Sequence, residues 1–245
     1  MPESLLDCTV ADLVLEKPSR SRVFAQAGID YCCGGKRTLK EACQSTQVDA
    51  NDLLAALTNA DQEQEASDQA AWQSLGLAQL ADQIVATHHQ FLREELPRID
   101  GLLDQVIAAH AEKHPELHEV RRQFQLLVQD LMPHMMKEEQ VLFPIIRQLE
   151  EAQAAKVALP RFHCGSVNNP IRAMEHEHQI VGDCLRELRA LTGGYTPPED
   201  ACPTYHAMLD GLQNLESDLH IHIHKENNIL FPKAAELEAS LAGNR

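Results

Sequence analysis

A histidine and a glutamate four residues apart, followed by Leu-Phe-Pro, occur twice in this chain. The first copy is His134-Met-Met-Lys-Glu138 before Leu142-Phe143-Pro144, and the second is His222-Ile-His-Lys-Glu226 before Leu230-Phe231-Pro232. The copies lie 88 residues apart, and a lone histidine precedes each at a matching distance: His89 is 45 residues before His134, and His178 is 44 before His222. Repetition at this period marks a duplicated supersecondary unit. Here the unit is a helix pair that offers one histidine from its first helix and a histidine and glutamate from its second. Two such pairs predict a four-helix bundle with one buried polar site.

Apolar spacing supports four long helices, over roughly 76–111, 116–152, 170–192 and 203–239. In the second, the inward positions run Phe124, Leu127, Leu131, His134, Glu138, Val141, Ile145 and Leu149, stepping by three and four. The fourth runs Met208, Leu212, Leu215, Leu219, His222, Glu226, Ile229; the third Ile171, Met174, His178, Val181, Leu185, Leu188; the first Val85, His89, Leu92, Leu96, Ile99, Leu103. Histidine and glutamate thus stand where leucine belongs. At about 100° per residue, His88, His176, His220 and His224 turn away from these seams and are expected to face solvent. Pro115 interrupts the evenly spaced His110, His114 and His118, which reads as a surface turn.

Leu, Ala, Glu and Gln dominate the composition, and these are strong helix formers. The fold class is therefore all-α, a four-helix bundle over 75–240 behind a small helical domain over 1–58. An acidic, polar stretch at 59–74 reads as the linker. In the small domain Thr9 with Asp12, and Thr38 with Glu41, resemble capping boxes, and one helix should stop at Gly28. The formal charge of −16 argues against a nucleic-acid partner, because that affinity rests on Lys and Arg neutralising phosphates. The N-terminus lacks a signal-peptide pattern, and no apolar run is long enough to span a bilayer. A soluble cytoplasmic protein, monomer or homodimer, is expected, without membrane association.

Histidine and glutamate at i and i+4 share a helix face, with Cβ atoms roughly 5–6 Å apart, and can bind one centre together. Burying bare carboxylates in an apolar seam is costly, and a cation is the usual remedy. The six inward groups, His89, His134, Glu138, His178, His222 and Glu226, suit two metal ions. If both glutamates bridge, each ion receives two imidazoles, two carboxylate oxygens and a shared solvent oxygen, which leaves an octahedral ion one open position. Nitrogen and oxygen donors without thiolate fit iron, manganese or zinc.

The bundle resembles hemerythrin-like di-iron proteins, and nearly the whole chain is similar to the bacterial repair-of-iron-centres family (YtfE/ScdA type). The residues that carry the likeness are Asp30-Tyr31-Cys32-Cys33-Gly34-Gly35-Lys36, His134 to Gln140, Glu177-His178, Glu226-Asn227-Asn228 and the Leu-Phe-Pro triplets. The resemblance implies the same six ligands for two iron ions bridged by carboxylates and an oxo or hydroxo group. It also implies acidic channel residues at Asp130 and Glu177. The second-to-third-helix connection, with Cys164, is longer than the family pattern.

Cys32 and Cys33 are adjacent. Their Cα atoms, about 3.8 Å apart, lie below the usual disulfide range, so a bond between them would be strained and easily reduced. Lys36, Arg37 and the helix opening at Thr38 predict stabilised thiolates and a redox, iron-transfer or nitrosyl-transfer role, which Cys43 could join. Cys8, Cys184 and Cys202 are expected to be small buried hydrophobes. The function the resemblance implies is repair of iron-sulfur proteins damaged by nitric oxide or peroxide, through donated iron. The alternatives are reduction of nitric oxide to nitrous oxide, and binding or sensing of nitric oxide or oxygen without turnover.

Overall fold

The computed structural model describes residues 3–17, 19–63, 72, 74–158 and 161–243. Their contacts divide the chain into two compact units, Met1–Gly76 with Ile223–Pro232, and Leu77–His222 with Lys233–Arg245. Among the described residues there is no strand, only an isolated bridge between Thr9 and Thr38.

The first unit is built of short helices, Glu3–Leu6, Val10–Glu16, Arg20–Gln26 and Leu39–Thr46, followed by Ala50–Glu63. Its helix starts are chemically fixed. Thr9 Oγ1 accepts the Asp12 N–H at 3.1 Å. Thr38 and Glu41 form a reciprocal box, in which the Thr38 N–H donates to Glu41 Oε2 at 2.8 Å and Thr38 Oγ1 accepts the Glu41 N–H at 3.3 Å. Each cap contributes about 1 kcal/mol. After Arg20–Gln26 the chain reverses at Gly28, whose φ of +67° is strained for any residue with a Cβ. Val10, Leu13, Phe24, Leu39 and Leu57 form the core. The buried cation Arg20 donates from Nε and NH2 to Asp61 at 2.9 and 2.7 Å, and from NH1 to the Leu13 carbonyl at 3.2 Å. Helix Ala50–Glu63 runs past residue 58, and apart from 72 and 74 the rest of the acidic stretch read as a linker lies outside the described residues.

The four long helices follow the sequence pattern closely. The first is Leu77–Ile84, Val85–His89 and Gln90–His110; the second is Leu117–Lys137, Glu138–Leu142 and Phe143–Ala155. The third is Asn168–Leu191; the fourth is Pro203–Lys225, Glu226–Leu230 and Phe231–Gly243. The third packs along the second. Glu150 caps the first long helix, accepting the Leu77 and Ala78 N–H groups at 2.8 and 3.0 Å; a carboxylate there also meets the positive end of the helix dipole. Glu238 fastens the connection before the third helix by accepting the Val167 N–H at 2.9 Å and the Ser166 hydroxyl at 2.6 Å.

The middle segments of the first, second and fourth helices are π-helical turns, which the periodicity did not anticipate. Phe143 and Phe231 donate their N–H groups five residues back, to the Glu138 and Glu226 carbonyls. The proline that follows each has no N–H and would crowd an α-helical carbonyl four residues back. The wider turn just before it accommodates the ring, which gives the repeated Leu-Phe-Pro a structural meaning. A π turn takes in one more residue than an α turn, so the buried face slips. Val85 and Val141, expected inward, are half-buried, whereas His88, Leu142 and Phe143 are buried. The third helix has no π turn, and all six of its expected inward residues are buried.

Candidate metal centre

The six inward side chains read from the repeat meet. Two groups, His89, Glu138, His222, Glu226 and His134, Glu138, His178, Glu226, each bring their ligand atoms within 4.8 Å of one another, and every member is buried. Glu138 and Glu226 belong to both. Glu138 faces the pairs with different oxygens: Oε2 is 3.3 Å from His89 Nε2, and Oε1 is 3.2 Å from His134 Nε2 and 4.0 Å from His178 Nε2. Within each pair the Nε2 atoms approach to 3.3 Å for His89 and His222, and 3.1 Å for His134 and His178. Glu226 stands one turn after His222 on the same helix.

The far side of the rings explains this aim. His89 Nδ1 lies 2.6 Å from Glu139 Oε1, and His134 Nδ1 lies 2.9 Å from Glu177 Oε2. Arg93 and Lys137 in turn donate to these carboxylates. The His134 bond, against the cost of burial and aided by Lys137, holds the Glu177 carboxyl down to about 2. Burial opposes ionisation of Glu139, but the bonds from His89 and Arg93 hold its carboxyl below the usual range. Both acids are ionised, so each Nδ1 carries the proton and donates. That tautomer leaves a lone pair on Nε2 of His89 and His134, directed at the glutamates. Lone pairs converging on buried carboxylates repel unless positive charge stands among them, so the donor set fits a pair of cations.

The four histidines expected at the surface divide differently. His176 is exposed and His220 half-buried, but His88 and His224 are buried. His88, turned inward by its π segment, stacks on His222 at 5.3 Å with an interplanar angle of 2°, and its Nδ1 meets Asp218 at 2.8 Å. His224 lies edge-on to Tyr31 at 5.7 Å, and burial pushes its pKa down to about 4, so the ring is neutral. Neither could be found from helical phase alone. Asp130 is exposed on the second long helix, one turn before His134, and belongs to neither group, while Glu177 orients His134.

In the first unit the vicinal cysteines are thiols rather than a disulfide, with Sγ atoms 3.9 Å apart. Asp30 Oδ1 gathers the turn, accepting the Cys32 and Cys33 N–H groups at 3.0 and 2.9 Å and the Cys32 thiol at 3.3 Å. The expected stabilised thiolate is corrected at Cys32: its bond with Cys33, its burial and the Asp30 carboxylate push the thiol well up. Arg37, expected to favour thiolate, donates instead to Gly34 O and Ser45 Oγ. Asn228, on the segment that carries Glu226, lies 3.4 Å from the Cys32 carbonyl as donor. Cys43 is buried; Cys8, Cys184 and Cys202, expected to be buried, are half-buried.

Four helices enclosing two histidine–glutamate groups define a hemerythrin-like cation-binding protein. Residues 80–234 match the hemerythrin HHE cation binding domain, and residues 6–61 match ScdA_N, a domain of unknown function (DUF542). The chain is 36% identical over 228 residues to the iron-sulfur cluster repair protein YtfE of Enterobacter sp. (strain 638), covering 93% of this chain and 96% of that one. It is 36% identical over 231 residues to the protein of the same name from Musicola paradisiaca (strain Ech703), covering 94% and 97%. The likeness to that of Escherichia coli O81 (strain ED1a) is 36% over 228 residues, covering 93% and 96%. The chain belongs to the YtfE family of hemerythrin-like proteins.

Proposed function

We propose that this protein carries two iron ions in the bundle and repairs iron-sulfur clusters damaged by nitrosative or oxidative stress, donating iron to the damaged protein. The observation that carries the reading is the pair of buried groups that share Glu138 and Glu226, in a chain that aligns almost end to end with proteins named for iron-sulfur cluster repair. His89 and His222 would hold one ion and His134 and His178 the other, with both glutamates bridging and an oxo or hydroxo group between. Bound there, iron would supply redox chemistry and affinity for a small ligand such as nitric oxide or oxygen. Glu139 and Glu177 keep Nε2 of His89 and His134 unprotonated and aimed, and the apolar seams exclude water. Ferrous iron sits low in the divalent affinity order, which suits a site that must release its cargo.

Cys32 and Cys33 act with Asp30 in passing the cargo on. A protonated, buried Cys32 suits a thiol that ionises only when a cation takes the place of its proton. The protein is read as two domains, 1–58 and 75–240, joined by the acidic 59–74, in keeping with the family matches over 6–61 and 80–234. It works in the cytoplasm, as a monomer or homodimer, on iron-sulfur proteins rather than nucleic acid. No helix among the described residues is long and apolar enough to cross a membrane.

The test is anaerobic. Reduced, iron-loaded protein is incubated with a nitric-oxide-damaged iron-sulfur enzyme without added iron, beside a Cys32→Ala/Cys33→Ala variant. Recovery by the wild type alone supports donation through the cysteines; recovery by both removes the cysteines from the path. No recovery with the metal retained sinks donation and leaves nitric oxide reduction, which gas analysis would detect as nitrous oxide, or sensing.

A further inference from the structure

The end of the first long helix and the start of the fourth gather a separate set of donors. His110 and His114, read from the sequence as a surface turn, bring their ring nitrogens within 4.8 Å of one another and of an Asp200 oxygen. The His114 N–H donates to the His110 carbonyl at 2.9 Å, so the helical turn continues far enough to put both rings on one side. His114 Nε2 and Asp200 Oδ1 are 2.9 Å apart. Cys202, two residues after Asp200, adds sulfur. Its thiol lies beside His110, though outside that 4.8 Å group. Tyr205 stands edge-on to both rings, at 5.4 Å from His110 and 5.9 Å from His114, and walls one side.

We propose that His110, His114 and Asp200, with the nearby Cys202 thiol drawn in as fourth donor, form a mononuclear site for a borderline divalent cation of the zinc class, distinct from the paired groups in the bundle. Two imidazoles, a carboxylate and a thiol are a four-donor set that tetrahedral zinc accepts. With zinc–nitrogen and zinc–oxygen distances of about 2.0–2.2 Å, tetrahedral donors stand roughly 3.3 Å apart. The observed His114–Asp200 separation is already close to that. The four residues are half-buried or exposed and therefore reachable from solvent. The His110 bond and the N–H groups at the helix start hold the Cys202 thiol down to about 7, which eases its ionisation. Binding forms the sulfur–metal bond and releases the thiol proton to solvent, with no change of oxidation state. The cation replaces the present pairings of His114 with Asp200 and of His110 with Cys202. Lys113, 3.4 Å from Asp200, and Glu116, 3.1 Å from His114 Nδ1, remain as outer neighbours.

Iron-loaded protein titrated with Zn²⁺ tests this, with bound zinc and retained iron measured by elemental analysis. Wild type is expected to take one zinc per chain without losing iron. Co²⁺ in its place should give a thiolate-to-cobalt charge-transfer band. Cys202→Ser and His114→Ala should lose the equivalent or bind at least tenfold more weakly, while His118→Ala keeps it. Asp200→Asn, at an exposed side chain, serves if either variant fails to fold. No extra zinc in the wild type, or undiminished zinc in Cys202→Ser and His114→Ala, would overturn the site.

Discussion

At the residue scale, carboxylates decide the protonation of the groups around them. Glu177 beside His134 keeps a proton on Nδ1 and a lone pair on Nε2, while Asp30 adds to the Cys33 bond and the burial that keep the Cys32 thiol protonated. Glu177→Gln removes the charge but not the shape. By analogy with other outer-shell partners, metal affinity should fall about 10–100-fold while the fold persists, read by competition with a chelator and by circular dichroism. The cysteines should separate by reactivity. A thiol lowered to about 7 carries far more thiolate at pH 7.5 than one pushed upward, so Cys202 should alkylate first and Cys32 last in metal-free protein. Mass spectrometry after brief iodoacetamide treatment reads the order, and Cys32 reacting before Cys202 would contradict this account.

At the scale of elements, the cysteine turn depends on close backbone approach. A Cβ on Gly35 would sit 2.4 Å from the Tyr31 carbonyl oxygen and 2.8 Å from Ala11 Cβ, both fixed groups. Gly35→Ala should therefore destabilise by about 2 kcal/mol, as overpacking does, whereas at Gly34 the nearest atom is the movable end of Arg37. Denaturant unfolding of the two alanine variants separates them. Arg20 ties Val10–Glu16 to Ala50–Glu63 through Leu13 and Asp61. Arg20→Met should cost about 2 kcal/mol, less than a fully enclosed pair because Asp61 and Glu16 keep access to water. Burial raises the Asp61 carboxyl, but Arg20 and Lys17 outweigh it and hold it below its ordinary value. That contribution is complete above the unfolded carboxyl pKa of about 3.9 and is lost as pH falls through the lower folded value. The gap between wild type and Arg20→Met should thus close below about pH 4.

For the whole molecule, the buried polar centre links stability to metal. Glu138 and Glu226 are 0% exposed, and four imidazoles point at them. A cation bound by the folded state alone stabilises it by about 2.7 kcal/mol at a hundredfold excess over Kd. For a chain of this size that corresponds to roughly 5–10 °C in Tm. Chelation should lower Tm by that amount and added ferrous iron restore it. In Glu138→Ala, which removes the acid shared by both groups, the iron-dependent rise should vanish.

The four long helices, the duplication and six of the groups that meet in the bundle are legible in the sequence, because helical phase is a local property written in the spacing of Leu, Val and Ile. The sequence also contained the caps at Thr9 and Thr38, which act within one turn. Which further side chains turn inward depends on packing between segments distant in the chain. His88 is buried because a π turn slips the phase, and His224 because Tyr31 packs on it. The state of the cysteines was likewise hidden: Lys36 and Arg37 are near in sequence, but Cys33 and Asp30 touch the Cys32 thiol, and together with burial they reverse the expected shift. His110, His114 and Cys202 looked unrelated along the chain, since nothing local relates a helix end to a loop some ninety residues later. Local geometry is encoded residue by residue, whereas charge and protonation follow from whichever groups the fold brings into contact.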